Sequence, residues 1–305
     1  MRRLLSATVR LFLKPALSPG VPIGVQRAWG GTIGLTLMGP KGTKYQPDRK
    51  ANVPTMAITP LSQEQGRGVL FIHGGAFVIG GYSSHRKLAA AVGEAAGAQV
   101  WLPDYRLAPE HPHPAALEDV LTIYSTLLDE GQDPGKLSIV GDSAGGGLAL
   151  TLLMAIRDAD LPLPASLVLI SPWVDLTLSG RTMTSHAKRD PMISQDWLRW
   201  AADSYSRLSS PQNPECSPLL GDLTGLPPTL IQVGTEEVLL SDAQSLYQRM
   251  MKTGLNCTLN EYEGLWHVFQ LHYRVLEKAT NAVHDIGKFI KQQTAPEPSH
   301  TNQST

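Results

Sequence analysis

The chain has 305 residues, 42% hydrophobic and 17% charged, long enough for one large domain or one domain with an inserted lid, of which the single domain is favoured. A formal net charge of -1 provides no whole-molecule field for nucleic acid, so that partner class is set aside. Two cysteines, Cys216 and Cys257, are too few for a disulfide framework and match no zinc spacing, which points to a reducing compartment, the cytoplasm.

The N-terminal MRRLLSATVRLFLKP places arginines before an apolar run, as a signal peptide does. Arg10 interrupts that run, Lys14 follows it, and no small-residue cleavage site is present, so the expectation is otherwise. Wound as a helix, the segment sets Arg3, Arg10 and Lys14 on one face and Leu4, Leu5, Val9 and Phe12 on the other side. It reads as an amphipathic helix packed over the body as part of a lid, with attachment to a membrane surface as the second reading. No run approaches the roughly 20 apolar residues of a spanning helix.

Strands are predicted at Thr32 to Met38 and at Thr55 to Thr59, an antiparallel entry around the polar loop Lys41 to Lys50. Val69 to Ile72 is a short apolar run of the kind buried on both faces, closed by His73-Gly74-Gly75-Ala76. A helix over Ser84 to Ala96 with a Gly97 stop leads to a strand at Gln99 to Leu102. The proline-dense Pro103 to Pro114 is a loop, and a helix follows to Asp129. Lys136 to Leu150, KLSIVGDSAGGGLAL, reads as strand, sharp turn and helix, the helix running to about Arg157. Ser166 to Ser171 is another buried strand. Residues 176–217 lack strand alternation and read as an insertion over the sheet, with a helix at Ser194 to Arg207. Strands at Thr229 to Val233 and Cys257 to Tyr262 enclose a helix at Ser241 to Thr253, and a last helix spans Val268 to Ile290. The polar tail 292–305 is expected to be disordered. Alternating strands and helices predict a mostly parallel α/β sheet.

The chemistry starts at Gly141-Asp142-Ser143-Ala144-Gly145. Placed between a strand and a helix, G-x-S-x-G is the nucleophile elbow, in which a tight turn lifts the serine hydroxyl above the sheet. Ser143 needs a base, because a serine hydroxyl is a poor nucleophile at neutral pH. His267, just after the last strand at the carboxyl edge of the sheet, is the candidate. His111 and His113 stand two apart in a proline loop without a third ligand, so no metal site is expected, and no G-x-G-x-x-G follows a strand to hold a dinucleotide. An orienting acid belongs between Ser143 and His267, and Glu236, Glu237 and Asp242 all qualify by type, with Asp242 also able to cap the helix it opens. Spacing alone leaves Glu236 and Glu237 open. His73-Gly74-Gly75-Ala76 matches an oxyanion-hole loop whose third glycine is alanine, and the amides of Gly74, Gly75 and Ala144 are the expected donors.

HGGAF at 73–77, DYRLAPE at 104–110, GDSAGG at 141–146, SPW with Asp175, and the segment from Ser217-Pro218-Leu219 to His267 resemble the bacterial hormone-sensitive-lipase-like (family IV) esterases over residues 53–290. The resemblance implies an α/β-hydrolase core, a helical cap from about 1–30 and 176–217, and cofactor-free hydrolysis of short-chain carboxylic esters by an acyl-enzyme. It places the acid 30 residues before the histidine, in a D-P-L segment. Here that segment reads Glu237-Val238-Leu239, so Glu237 is chosen, with Asp242 second and Glu236 third. It also makes Asp104, Arg106 and Glu110 a charged cluster fixing the proline loop, Asp142 an anchor of the elbow, and a dimer through the last strand and helix an expectation. Lactone hydrolysis would use the same residues. A ligand-binding receptor on this fold, as the plant gibberellin receptor is, requires a broken triad, and His267 argues against it. Phe77, Trp197, Trp200, Tyr205 and Leu208 are candidates to line the pocket.

Overall fold

The computed structural model describes residues 1–295. The helix α1 (Arg2–Phe12) and α2 (Ile23–Thr36) precede an antiparallel pair, β1 (Lys44–Lys50) and β2 (Val53–Thr59). Then follow β3 (Gly68–Ile72), α3 (Tyr82–Ala96), β4 (Gln99–Pro103), α4 (Ala115–Asp129), β5 (Leu137–Asp142), α5 (Ala144–Asp158) and β6 (Ser166–Ile170). The short α6 (Arg181–Ser185) and α7 (Gln195–Tyr205) occupy the insertion, and β7 (Thr229–Gly234), α8 (Leu240–Lys252), β8 (Cys257–Tyr262) and α9 (Glu277–Gln293) complete the order. The strands form one eight-stranded sheet, β1-β2-β4-β3-β5-β6-β7-β8, parallel from β4 onward and antiparallel at β1 and β2. This is the α/β-hydrolase fold expected above.

Strand residues alternate between two cores, as the two-residue strand period requires. Leu70, Ile72, Ile139, Leu167 and Ile231 pack under α4, α5 and α8, while Val69, Phe71, Val140, Val168 and Leu230 face α3 and α9. The helices α1, α2 and α7 contribute to a cavity at the carboxyl ends of the central strands.

Three expectations about elements are corrected. Residues 32–36 belong to a helix, not a strand: Gly34 rides directly on the Ser83–Ser84 backbone at the start of α3, and that packing outweighs a locally β-like pattern. Residues 44–50 form an edge strand rather than a loop, paired from Lys44 with Thr59 to Lys50 with Val53. Its polar composition suits an edge, which has little apolar face to bury. The last helix begins at Glu277: Val268 sits at φ 47°, outside the right-handed helical basin, and only a 3₁₀ turn at Phe269–His272 follows it directly. Of the tail expected from Gln292, residues 296–305 lie outside the described residues, and Gln292 and Gln293 finish α9.

The charged cluster of the proline loop is also divided differently. Arg106 pairs with Asp119 and Glu118 on α4, whereas Glu110 accepts both guanidinium nitrogens of Arg27 on α2, at 2.8 and 2.7 Å.

At the joint of β5 and α5 the backbone of Gly145 lies against β3, so a methyl there would overlap the carbonyl oxygens of Ile72 and His73. Gly145→Ala is therefore expected to lower stability by about 1–3 kcal/mol through overpacking, read from urea unfolding midpoints.

Candidate active site

The β5–α5 turn leaves Ser143 at φ 54°, ψ -124°, a conformation that side-chain-bearing residues rarely adopt and that costs on the order of 1–3 kcal/mol. The surroundings hold it there. Ser143 N–H donates to Ile170 O at 2.9 Å, and Ser143 O accepts Trp173 N–H at 3.0 Å and Gly146 N–H at 2.9 Å. The strain aims the hydroxyl off the sheet edge toward His267.

Ser143 Oγ donates to His267 Nε2 at 2.9 Å, and His267 Nδ1–H donates to Glu237 Oε2 at 2.8 Å. The second oxygen of Glu237 accepts Gly234 N–H at 2.7 Å and Ser171 Oγ–H at 2.8 Å. Burial pushes the His267 pKa down, but the hydrogen bond and charge of Glu237, with the fields of Asp190 and Asp142, outweigh it and hold the imidazole above its ordinary value. The other two carboxylates point elsewhere. Glu236 makes a two-pronged ion pair with Arg189. Asp242 accepts the amides of Val174 and Asp175 at 3.3 and 3.2 Å, fixing the turn after β6 rather than capping α8. Burial, together with the charge of Asp175, raises its pKa well above the carboxylate range.

The loop after β3 curls over the serine. Gly74 has no room for a side chain, since a Cβ would sit 2.9 Å from Ser143 Cβ. Ala76, in the place of the loop's third glycine, adopts φ 53°. The three expected donor amides are not equivalent. Gly74 N–H is bonded to Asp142 Oδ1 at 3.1 Å, while the amides of Gly75 and Ala144 have no acceptor among the described residues. Asp142 thus ties the loop to the elbow, with His85 Nε2 3.3 Å from its other oxygen. Its burial raises the pKa, but His85, His73 and the Gly74 amide bring it below the ordinary value. His73 is kept neutral, its pKa pushed down to about 3 chiefly by complete burial.

Ser143, His267, Gly75 and Ala76 open onto a cavity of about 360 Å³, whose other walls include Val9, Leu13, Ile33, Ile193, Trp197 and Leu271. Of the pocket residues named from sequence, Trp197 lines it. Phe77 instead stacks on Tyr205 with centroids 3.8 Å apart, Trp200 packs against the core under α4 and α5, and Leu208 is exposed. His272, expected within the last helix, lines the cavity from the 3₁₀ turn, where burial lowers its pKa to about 4.

Sequence reasoning assigned no part to three residues. Ser171 bridges Glu237 to Val268 N–H, at 3.1 Å, and so couples the acid to the histidine loop. Asp190, wholly buried, accepts Met192, Ile193 and Val238 amides and pins the insertion beside Glu237. Gln26, also wholly buried, accepts Trp197 Nε1–H at 2.8 Å and joins α2 to α7. Only Ser171, inside the S-P-W match, carried a sequence signal.

Residues 69–271 match the family described by the α/β-hydrolase fold. The chain is 44% identical over 237 residues to an acetyl-hydrolase of Streptomyces hygroscopicus, covering 78% of this chain and 79% of that protein. It is 34% identical over 249 residues to an esterase of Acinetobacter venetianus, covering 77% and 82%. Among solved structures, an esterase from the bacterial hormone-sensitive lipase family superposes with a TM-score of 0.92 at 34% identity, covering 96% of this chain and 98% of that one. EstE5, in a crystal soaked with p-nitrophenyl butyrate, gives 0.92 at 35% identity, covering 97% and 99%. On this sheet order, this matched span and these relatives, the chain belongs to the α/β-hydrolase fold family, within its bacterial hormone-sensitive-lipase-like esterases.

Proposed function

We propose that this chain is a serine carboxylesterase that hydrolyses short-chain carboxylic esters through an acyl-enzyme. The observation that supports it is the line of hydrogen bonds from Ser143 through His267 to Glu237, opening on an apolar cavity beside two unpaired amides. Ser143 Oγ attacks the ester carbonyl carbon as His267 Nε2 takes its proton. Glu237 holds the imidazole with Nε2 free to accept and stabilises the imidazolium that forms. The carbonyl oxygen, now an oxyanion, settles on the amides of Gly75 and Ala144, with Gly74 positioning the loop through Asp142; one such donor is worth about 3 kcal/mol. Collapse expels the alcohol, protonated by His267. Water then repeats the sequence on the acyl-enzyme, releasing the acid. Short acyl groups are the reading suggested by a relative named as an acetyl-hydrolase and by EstE5, whose crystal was soaked with p-nitrophenyl butyrate.

The proposal extends to a helical cap built from about 1–30 and 176–217 over the cavity, and to a cytoplasmic location, read from two buried unpaired thiols. It also includes pairing of two copies through β8, at the sheet edge, and α9. Static light scattering at working concentration is then expected to return twice the chain mass.

Ser143→Ala is expected to remove nearly all hydrolysis of p-nitrophenyl acetate while the circular dichroism spectrum stays that of the parent; retained turnover would overturn the mechanism.

Glu237→Gln is expected to lower kcat/KM by roughly 10³-fold or more, and Asp242→Asn by far less, since Asp242 does not touch His267. His267 must be neutral to accept the proton, so kcat/KM falls as pH drops through its raised pKa. Without the Glu237 charge that pKa moves down, and the acid limb of the pH profile is expected to shift to lower pH as its plateau falls.

A further inference from the structure

The apolar side chains left facing solvent are concentrated in one place. Among the described residues, eight of the thirteen exposed large hydrophobics fall within residues 1–38, among them Leu4, Leu11, Val25, Trp29 and Leu35. On α2 the positions Val25, Ala28, Trp29, Thr32, Leu35 and Thr36 follow helical spacing along one side, face solvent, and include no charge. A surface helix ordinarily turns charged and polar residues outward, so this face is built the wrong way round for water. Leu4 and Leu11 continue it on α1, seven residues apart and 68% and 69% exposed. Trp29 Nε1–H donates to Phe12 O at 2.9 Å and so ties the end of α1 to α2. The patch also runs into the cavity, because Phe12, Met38 and Val275 are both exposed and part of its lining.

Charge selects the occupant. Residues 1–47 hold seven of the 26 Lys and Arg and none of the 27 Asp and Glu, so the rest of the chain carries a formal surplus of eight negative charges. Of those seven, only Arg27 forms an ion pair among the described residues, with Glu110. Arg10 and Lys14 donate instead to the main-chain oxygens of Arg189 and Asp190, and among the described residues neither has a carboxylate oxygen within ion-pair distance. A second copy would bring the same positive surplus to this face and be repelled. A lipid surface rich in phosphate would be attracted.

We infer that the outer face of α1 and α2 docks on an anionic lipid–water interface. Leu4, Leu11, Val25, Trp29 and Leu35 enter the headgroup region, and the flanking arginines and lysines meet the phosphates. No helix among the described residues is long and apolar enough to cross a membrane, so the attachment is peripheral. Esters held in the lipid would then reach Ser143 through the mouth bounded by Phe12, Met38 and Val275. Delivery rests on the esterase reading; docking does not.

The test is flotation of the full chain with vesicles of phosphatidylcholine alone and of phosphatidylcholine mixed with phosphatidylglycerol, at low and high salt. Binding is expected to the mixed vesicles, to weaken with salt, and to be far weaker to phosphatidylcholine. L4S/L11S/L35S is expected to lower the partition coefficient on the order of tenfold or more, with hydrolysis of water-dissolved p-nitrophenyl acetate unchanged, which also reports an intact fold. Ser143→Ala is expected to float as the parent does, so loss of hydrolysis and loss of docking are read separately. No binding to the mixed vesicles, or equal binding to both compositions, overturns the inference, and the parent chain alone decides this should the triple variant misfold. A dimer in light scattering that L4S/L11S/L35S dissociates overturns it in favour of self-association.

Discussion

A carboxyl group with no access to water has to be satisfied from within the protein, and Glu237 is such a group. Its two oxygens take Gly234 N–H from the end of β7, Ser171 Oγ–H from the turn after β6, and His267 Nδ1–H from the loop after β8. Three strand ends are therefore tied to one side chain. Ser171 passes the constraint on to Val268, at the positive φ that turns His267 toward Ser143. Displacing Glu237 would leave several buried donors unpaired at once, and each such group costs about 1–3 kcal/mol. The geometry of the histidine is thus set by the same hydrogen bonds that close the carboxyl edge of the sheet.

A second knot of the same kind lies on the other side of the serine. Asp142, next to Ser143 in sequence, holds the Gly74 amide with one oxygen and faces His85 with the other. Tyr105 Oη–H donates to His73 O at 2.7 Å, and its ring stacks on the His73 ring. The D-Y-R segment is thereby connected to the H-G-G loop. These contacts give the glycine-rich loop a fixed shape although it has few side chains of its own. They also explain why Gly74 and Gly75 differ: the first amide is consumed in anchoring the loop and the second is left to face the cavity.

Much of the architecture was legible because it follows from short-range rules. Apolar runs of β3, β5, β6 and β7, punctuated by Gly and Pro, mark strands buried on both faces, and the G-x-S-x-G elbow needs only its immediate strand and helix. The elements that misled were those decided by distant neighbours. Residues 32–36 at the end of α2 look like a strand until Gly34 meets α3, and β1 looks like a loop until β2 supplies its hydrogen bonds. Asp190 and Gln26 give no sign in the sequence of a part in the site, since the partners that tie them to it, Val238 and Trp197, lie far away in the chain.

The sequence by itself determined the order of elements in the sheet-forming core, the serine on its turn, the glycine loop before it and the histidine after the last strand. All of these are encoded in spacing and residue type within a few positions. Tertiary structure alone decided where each carboxylate points. Glu236 and Glu237 are adjacent in the chain, yet one reaches out to Arg189 and the other is drawn inward by Gly234, Ser171 and His267. Neighbouring side chains in a turn diverge, and which one faces the interior depends on Ser171 and His267, donors brought from the ends of two other strands, information that no local window of sequence contains.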